Sequence, residues 1–459
     1  MTRFILFVLM WCLVFSCKKK EEEIPVIISN PTTFQVPIVI PNGNEQYLNL
    51  DADYIFDEEK LHTFEIKLPN SALAKLDDDP AAEQYVEGSL IFEGDTISPV
   101  GIRYKGSIGA FVGCLSGNDW ANPSGFKTCT KLSLKIKINW GEREEKFFGL
   151  KKIQLHAMNN DDSQMRDRLA YHLFRQMNVP APRAVHAKVM INGMYSGVYA
   201  LIEHIDGRFT RHNYDDGKGN LYKEVWPLKM SGQPQTEQTY LNHLETNRDE
   251  NPNANMIRTF AEEVVAADDS SIKNVIADWM DVDEIISYAV VDRTIRVDDG
   301  AFHWYCDEGG GCTNHNYFWY EETSAGKMHL IPWDMDNTFE NIITPANPVT
   351  PIADGWGETS NDCEPFVSGF LGLKQWSAAC DKLTGGWVMF EEEYDQIKTQ
   401  FVEGPLSEME TDQVLDIWAE QIRTATEEAK QDHSDAVSIS QWESSITRLK
   451  SQLKFAREN

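Results

Sequence analysis

The sequence predicts an α+β fold in which a strand-rich first half gives way to a helix-rich second half. Three observations carry that expectation. Residues 131–139 (KLSLKIKIN) alternate apolar and polar side chains with the period of two that a half-buried strand requires. Two further alternating runs, 185–191 and 197–202, flank Asn192-Gly193, the dipeptide that favours a tight hairpin turn. Beyond about residue 205 the periodicity becomes helical, near 256–267, 281–296, 409–430 and 440–456.

Taken in order, the body opens with strand patterns at 62–68 (HTFEIKL), 89–92 and 100–105. In the 131–139 strand, Leu132, Leu134, Ile136 and Ile138 share one face, and Lys131, Ser133, Lys135 and Lys137 share the other. A helix is expected from 163 to 177, capped by Asp161 or Asp162, with Met165, Leu169, His172, Leu173 and Gln176 at helical spacing. The hairpin follows, then the helical half, interrupted by short strands at 316–320 and 328–332. There are no internal repeats.

The chain has 459 residues, 42% hydrophobic and 11% aromatic, enough to bury a real core. Its formal charge is −30, so its surface repels phosphate backbones and nucleic acid is a poor partner. At the start, Arg3 precedes an apolar run (Phe4 to Phe15) too short to span a bilayer, followed by Ser16-Cys17. This resembles a lipoprotein signal: residues 1–16 are the expected signal peptide, Cys17 the lipidated residue, and 17–41 a tether beginning KKKEEE. No later stretch is apolar enough to cross a membrane, so the expected location is the cell envelope, lipid-anchored, at the outer membrane and periplasmic or surface-exposed. Six cysteines remain, in three close pairs, giving expected disulfides Cys114–Cys129, Cys306–Cys312 and Cys363–Cys380. None has the two-residue spacing of a zinc site.

Two regions carry residues suited to chemistry. The turn RYKGS, with Lys105, ends a strand and could let backbone N–H groups approach phosphates. A lysine projecting from the next strand, Lys131 or Lys135, could supply a fixed cation against developing negative charge. The richest segment is 292–339, which holds the acidic turns DRTIRVDDG and IPWDMDN with NHNY between them. One carboxylate there could orient an attacking hydroxyl while an asparagine and a second carboxylate hold magnesium. No run has the spacing of an EF-hand calcium loop.

The runs RVDDGAFHWYC, NHNYFWY and LIPWDMDNTF resemble the signature of the CotH (spore coat protein H) kinase family, as do DDSQMRDRLAYHL, VMINGMYSGVYALIEHID and RYKGS. The resemblance runs in order over about residues 52–345. It implies a two-lobed, atypical protein-kinase-like fold, with a strand-rich N-lobe at 52–204 and a helix-rich C-lobe at 205–459. It also implies ATP with Mg2+, or with Mn2+ or Ca2+ in its place, and phosphoryl transfer to serine or threonine hydroxyls of a protein substrate. Carried residue by residue, it makes Asp298 the catalytic-loop carboxylate with Asp299 in reserve, Asp334 the metal-binding aspartate, and Asn316 and Asp336 supporting ligands. Lys105, Lys131 or Lys135 would meet the phosphates, and Glu203 would lie near the adenine pocket. The insertion Cys306–Cys312 departs from the family pattern and leaves Asp298 and Asp299 both open. A catalytically silent kinase-like surface binding protein or adhesin is the alternative reading.

Overall fold

Seven strands of the first half pair edge to edge until the sheet closes on itself. They are β1 (His62–Lys67), β2 (Val86–Phe92), β3 (Asp95–Tyr104), β4 (Leu134–Lys137), β5 (Lys152–His156), β6 (Ala184–Ile191) and β7 (Met194–Ile202). The order is β1-β2-β3-β4-β5-β7-β6, and the parallel pairing of β1 with β6 completes the ring. The computed structural model describes residues 52–106, 109–119, 122–141, 144, 146–249, 252–340, 342, 363–368 and 373–459. The expected signal peptide, Cys17 and the tether lie outside the described residues, as do Ser107 and Ile108 of the glycine turn.

The alternation read from 131–139 sets the interior of this barrel: Leu132, Leu134, Ile136 and Ile138 are all buried. The ladder itself is shorter than the pattern. Only Leu134–Lys137 pairs with β3 and β5, so Lys131 lies ahead of the strand. The β6–β7 turn has positive φ at both Asn192 (51°) and Gly193 (83°), the geometry that matches strand twist in a two-residue hairpin.

Between β5 and β6 lies α2 (Arg166–Gln176), preceded in the chain by α1 (Asn70–Asp78). Helix α2 starts three residues later than expected, with Met165 at its N-cap. Asp161 serves the helix start from outside it, accepting from the Arg166 N–H at 2.8 Å and the Ser163 N–H at 2.9 Å. Leu169, Ala170, Tyr171, Leu173 and Phe174 of α2 are fully buried in the core.

The second half contains α3 (Gly207–Asn213), α4 (Glu237–Asn242), α5 (Asn255–Ala266), α6 (Ile272–Trp279), α7 (Val282–Ile295), α8 (Lys382–Val388), α9 (Glu391–Glu403), α10 (Glu408–Asp432) and α11 (Ile439–Glu458). Four of these match the helical stretches read from sequence. Strand β8 (Leu221–Lys223) joins the hairpin of β11 (Tyr317–Glu322) and β12 (Lys327–Pro332). A second small sheet, ordered β10-β9-β14-β13, was not expected; it unites Trp304–Cys306 (β9) and Cys312–Thr313 (β10) with Phe366–Ser368 (β13) and Leu373–Trp376 (β14). The fold is thus mixed α+β, as expected. The three disulfides form in the expected pairing, with Cα separations of 4.8, 3.9 and 5.7 Å.

Helix α10 reaches back across the barrel. The Tyr195 hydroxyl of β7 donates to the Ala425 carbonyl at 2.9 Å, and Lys188 of β6 pairs with Glu428 at 2.5 Å. Among the described residues, no helix is long and apolar enough to cross a membrane.

Candidate functional site

Two backbone turns are laced together at the end of α7. The helix stops at Arg296, whose φ of 55° reverses the chain, and the segment 297–303 runs beneath the 334–339 turn. The Asp298 N–H donates to the Asn337 carbonyl at 3.0 Å, and the Phe339 N–H donates to the Ile295 carbonyl at 2.8 Å. Both acidic turns found in the sequence are therefore one structural unit.

The β11–β12 hairpin supplies the rest by register. Tyr317 pairs with Pro332, so Asn316 faces Trp333 at the hairpin's open end and Asp334 follows one residue beyond. The Trp333 N–H donates to the Asn316 carbonyl at 3.1 Å. Both Asn316 (φ 58°) and Asp334 (φ 57°) occupy the left-handed region, which asparagine and aspartate tolerate best among non-glycine residues. The Asp334 N–H donates to the Tyr171 hydroxyl of α2 at 3.0 Å.

Asp299 and Asp298 point to different environments. The Asn316 amide donates to the Asp299 carboxylate at 3.0 Å and to the Asp299 carbonyl at 2.8 Å. Asp298 is 1% exposed, with its carboxylate 3.9 Å from His303 Nε2 and its carbonyl accepting from the Tyr305 hydroxyl at 2.6 Å.

The carboxylates repel one another. Burial, reinforced by Asp334 and Glu224 and opposed by the Asn316 hydrogen bond, pushes Asp299 up to about 7. Burial, then Asp334 and Asp167, hold Asp336 well above the usual carboxylate range. A group of buried acids in this condition attracts a cation. Among the described residues no three metal-ligating side chains close into a ready-made cage. The donor set of Asp334, Asp336 and the Asn316 amide oxygen nevertheless suits magnesium, which prefers a few hard oxygens and completes its shell with waters and phosphate.

Of the three candidate lysines, Lys105 is the one that faces these acids. It follows β3, its N–H donates to the Ser133 carbonyl at 2.8 Å, and its ammonium lies 5.5 Å from the Trp333 ring centre. Burial lowers its proton affinity, while Asp334 and Asp167 raise it. Lys135 stands on β4 among Lys152, Lys105 and Arg103, and burial together with those like charges pushes it down to about 7. Lys131 is elsewhere: its ammonium donates to the Val198 carbonyl at 2.9 Å, in a cavity walled by 158–164 and 426–437 that no acidic-turn residue lines. Glu203 is buried and held by Arg183, at 2.7 and 2.9 Å.

Three residues at the site were not singled out in the sequence. Glu224, after β8, accepts from the Asn316 N–H at 3.3 Å. His156 ends β5 with Nε2 2.7 Å from the Lys105 ammonium, and its Nδ1 is 3.3 Å from Asp167 of α2. Asp167 lies in the run DDSQMRDRLAYHL that carries part of the resemblance, which was the one available signal for it.

A family model described as CotH kinase protein matches residues 102–458. Inner spore coat protein H of Bacillus subtilis (strain 168) is 24% identical over 204 residues, 42% of this chain and 51% of that protein. An inner spore coat protein H-like protein of the same organism is 40% identical over 67 residues, 15% of this chain and 21% of that protein. The match thus spans about half the length of the first relative and about a fifth of the second.

Proposed function

The chain belongs to the CotH kinase protein family, and from that premise we propose that it transfers the terminal phosphoryl group of ATP to serine or threonine hydroxyls of a protein, with a divalent metal. The observation that carries the reading is the convergence of Asp299, Asn316, Asp334 and Asp336 opposite Lys105. The proposed architecture is two-lobed and kinase-like, with the barrel of 52–204 as one lobe and 205–459 as the other, and the cleft between them.

In this reading Asp334 and Asp336, with the Asn316 amide oxygen, hold the metal. Magnesium there would neutralise phosphate charge and align the transferring group. Lys105 meets the phosphates from the opposite wall. Asp299 orients the acceptor hydroxyl and takes its proton, since its carboxylate shares the Asn316 amide and the field of Asp334. This moves the role from Asp298, which the resemblance put first, because the Asp298 side chain turns toward His303 in the interior. Lys135 sits behind Lys105 on the positive strand face. Lys131 and Glu203 are given structural parts, because their charges are already engaged by Val198 and Arg183.

We further propose that the protein is exported and lipid-anchored at Cys17 in the cell envelope; the three disulfides support an oxidising compartment. Calorimetry with ATP, with and without magnesium, tests the nucleotide reading, and radiolabelled transfer tests turnover. Binding with transfer is the expected result. Binding without transfer favours the silent binding-protein alternative, and absence of binding under any divalent metal overturns the kinase reading.

A further inference from the structure

Among the described residues Lys105 has no carboxylate in direct contact; its ammonium is 2.7 Å from His156 Nε2. An ammonium only donates, so Nε2 accepts, and the neutral imidazole must then carry its proton on Nδ1. That nitrogen is 3.3 Å from Asp167 Oδ2, which completes a chain from lysine through imidazole to carboxylate. His156 is 5% exposed and Asp167 3%, so water cannot readily replace either link. The imidazole also stands nearly perpendicular to the Trp333 ring, with centroids 6.0 Å apart. Protein kinases hold the phosphate lysine directly with a helix carboxylate. Here an imidazole is interposed, and the carboxylate comes from a shorter aspartate on α2.

The chain also resolves a conflict of charges. Asp334, Asp167 and Asp336 all pull on the Lys105 ammonium. Without a tether on its far side, the lysine would collapse onto the two proposed metal ligands, blocking the metal and misplacing the cation. His156 holds it from the barrel side. Oδ1 of Asp167 is buried with no hydrogen-bond partner among the described residues. Asp167 is thus committed to His156 through Oδ2 alone.

We propose that His156 and Asp167 are positioning residues for phosphoryl transfer, acting through Lys105 by a Lys105–His156–Asp167 chain that keeps its ammonium off the metal ligands. The inference rests on the kinase reading above and names a device within that same site.

The test uses the full chain with ATP, magnesium and casein as acceptor, measuring kcat and the KM for ATP. His156→Ala and the nearly isosteric Asp167→Asn should each lower kcat about 10–100-fold, the range typical of removing an outer-shell orienting partner, with KM for ATP little changed. Adding His156→Ala to Lys105→Ala should cost nothing more, because a residue that acts only through Lys105 has nothing left to orient. Multiplying losses in that double variant would overturn the inference while leaving the kinase reading standing, and so would wild-type kcat in both single variants. If His156→Ala fails to fold by thermal melt, Asp167→Asn and its combination with Lys105→Ala decide the matter alone. A wild-type protein that neither binds ATP nor transfers phosphate removes the kinase reading and this inference together.

Discussion

The Asn316 amide nitrogen lies 3.0 Å from one Asp299 carboxylate oxygen, across the gap between the loop after α7 and the start of β11. In the proposed reading that single bond separates two adjacent aspartates into different roles. Asp299→Asn should abolish most transfer, on the order of 10²–10⁴-fold, while ATP still binds. Asp298→Asn should spare far more of the rate and lower the melting temperature instead. Asp334→Ala should weaken magnesium-dependent ATP binding. Parallel binding and radiolabel assays check all three, and an inactive Asp298→Asn beside an active Asp299→Asn would reverse the assignment.

The three candidate lysines should separate sharply. Lys105→Ala should slow transfer by about 10²–10³-fold, the usual loss for one preorganised group at developing charge. Lys131→Ala should leave transfer near the wild-type rate and act on stability, since its ammonium serves the Val198 carbonyl. Initial rates beside thermal melts distinguish the two effects.

Cys114 and Cys129 close a loop of 15 residues immediately after the Lys105 turn. Replacing both with serine should cost about 3 kcal/mol of stability on a loop-entropy estimate. Denaturant titration measures it, and thiol counting on the denatured wild-type body, without reductant, should find no free cysteine among the six. Two or more reactive thiols would contradict the bridged state.

Stability should fall as the solution turns alkaline, in part because of His329. Burial disfavours its imidazolium, but Glu284 at 2.9 Å and Glu322 at 3.3 Å outweigh that and raise its proton affinity above the ordinary value of 6.5. A raised folded-state value means the stabilisation is fully present below the unfolded value and is lost as pH rises through the folded one. The melting temperature of wild type should drop more between pH 6 and 9 than that of His329→Gln. Equal slopes would remove His329 as the cause.

Anchoring is tested at the other end of the chain. Cys17→Ala should lose labelling by a fatty-acid probe and release the protein from the membrane fraction or leave it unprocessed. Unchanged labelling would refute lipidation at that residue.

Much of the barrel was legible because its signals are local. The alternation at 131–139 needed only a period of two to place four side chains inside, and Asn192-Gly193 needed only its own φ preferences to set the hairpin. The acidic turns were legible as composition. What the sequence left open is direction and distance. Asp298 and Asp299 are neighbours on the chain, and only the lacing of the 334–339 turn decides which one meets Asn316. Lys105 meets His156 across 51 residues, a pairing set by strand order in the closed sheet. The β9–β14 sheet stayed hidden because its strands are two to four residues long, below any useful periodicity.

Helix α10 holds β7 at Ala425, and the residue just past its end, His433, lies 2.6 Å from the Tyr195 carbonyl. The strand-rich half is therefore clamped to the helical half at places remote in sequence from the 202–205 connection, the Asp334–Tyr171 bond among them. A molecule tied at several points does not swing like a jaw on one pivot. If the protein binds nucleotide as proposed, the nucleotide would enter and leave through small rearrangements of the proposed cleft's edges, so exchange should be slow compared with an open-hinged enzyme, and loosening Tyr195 should quicken it.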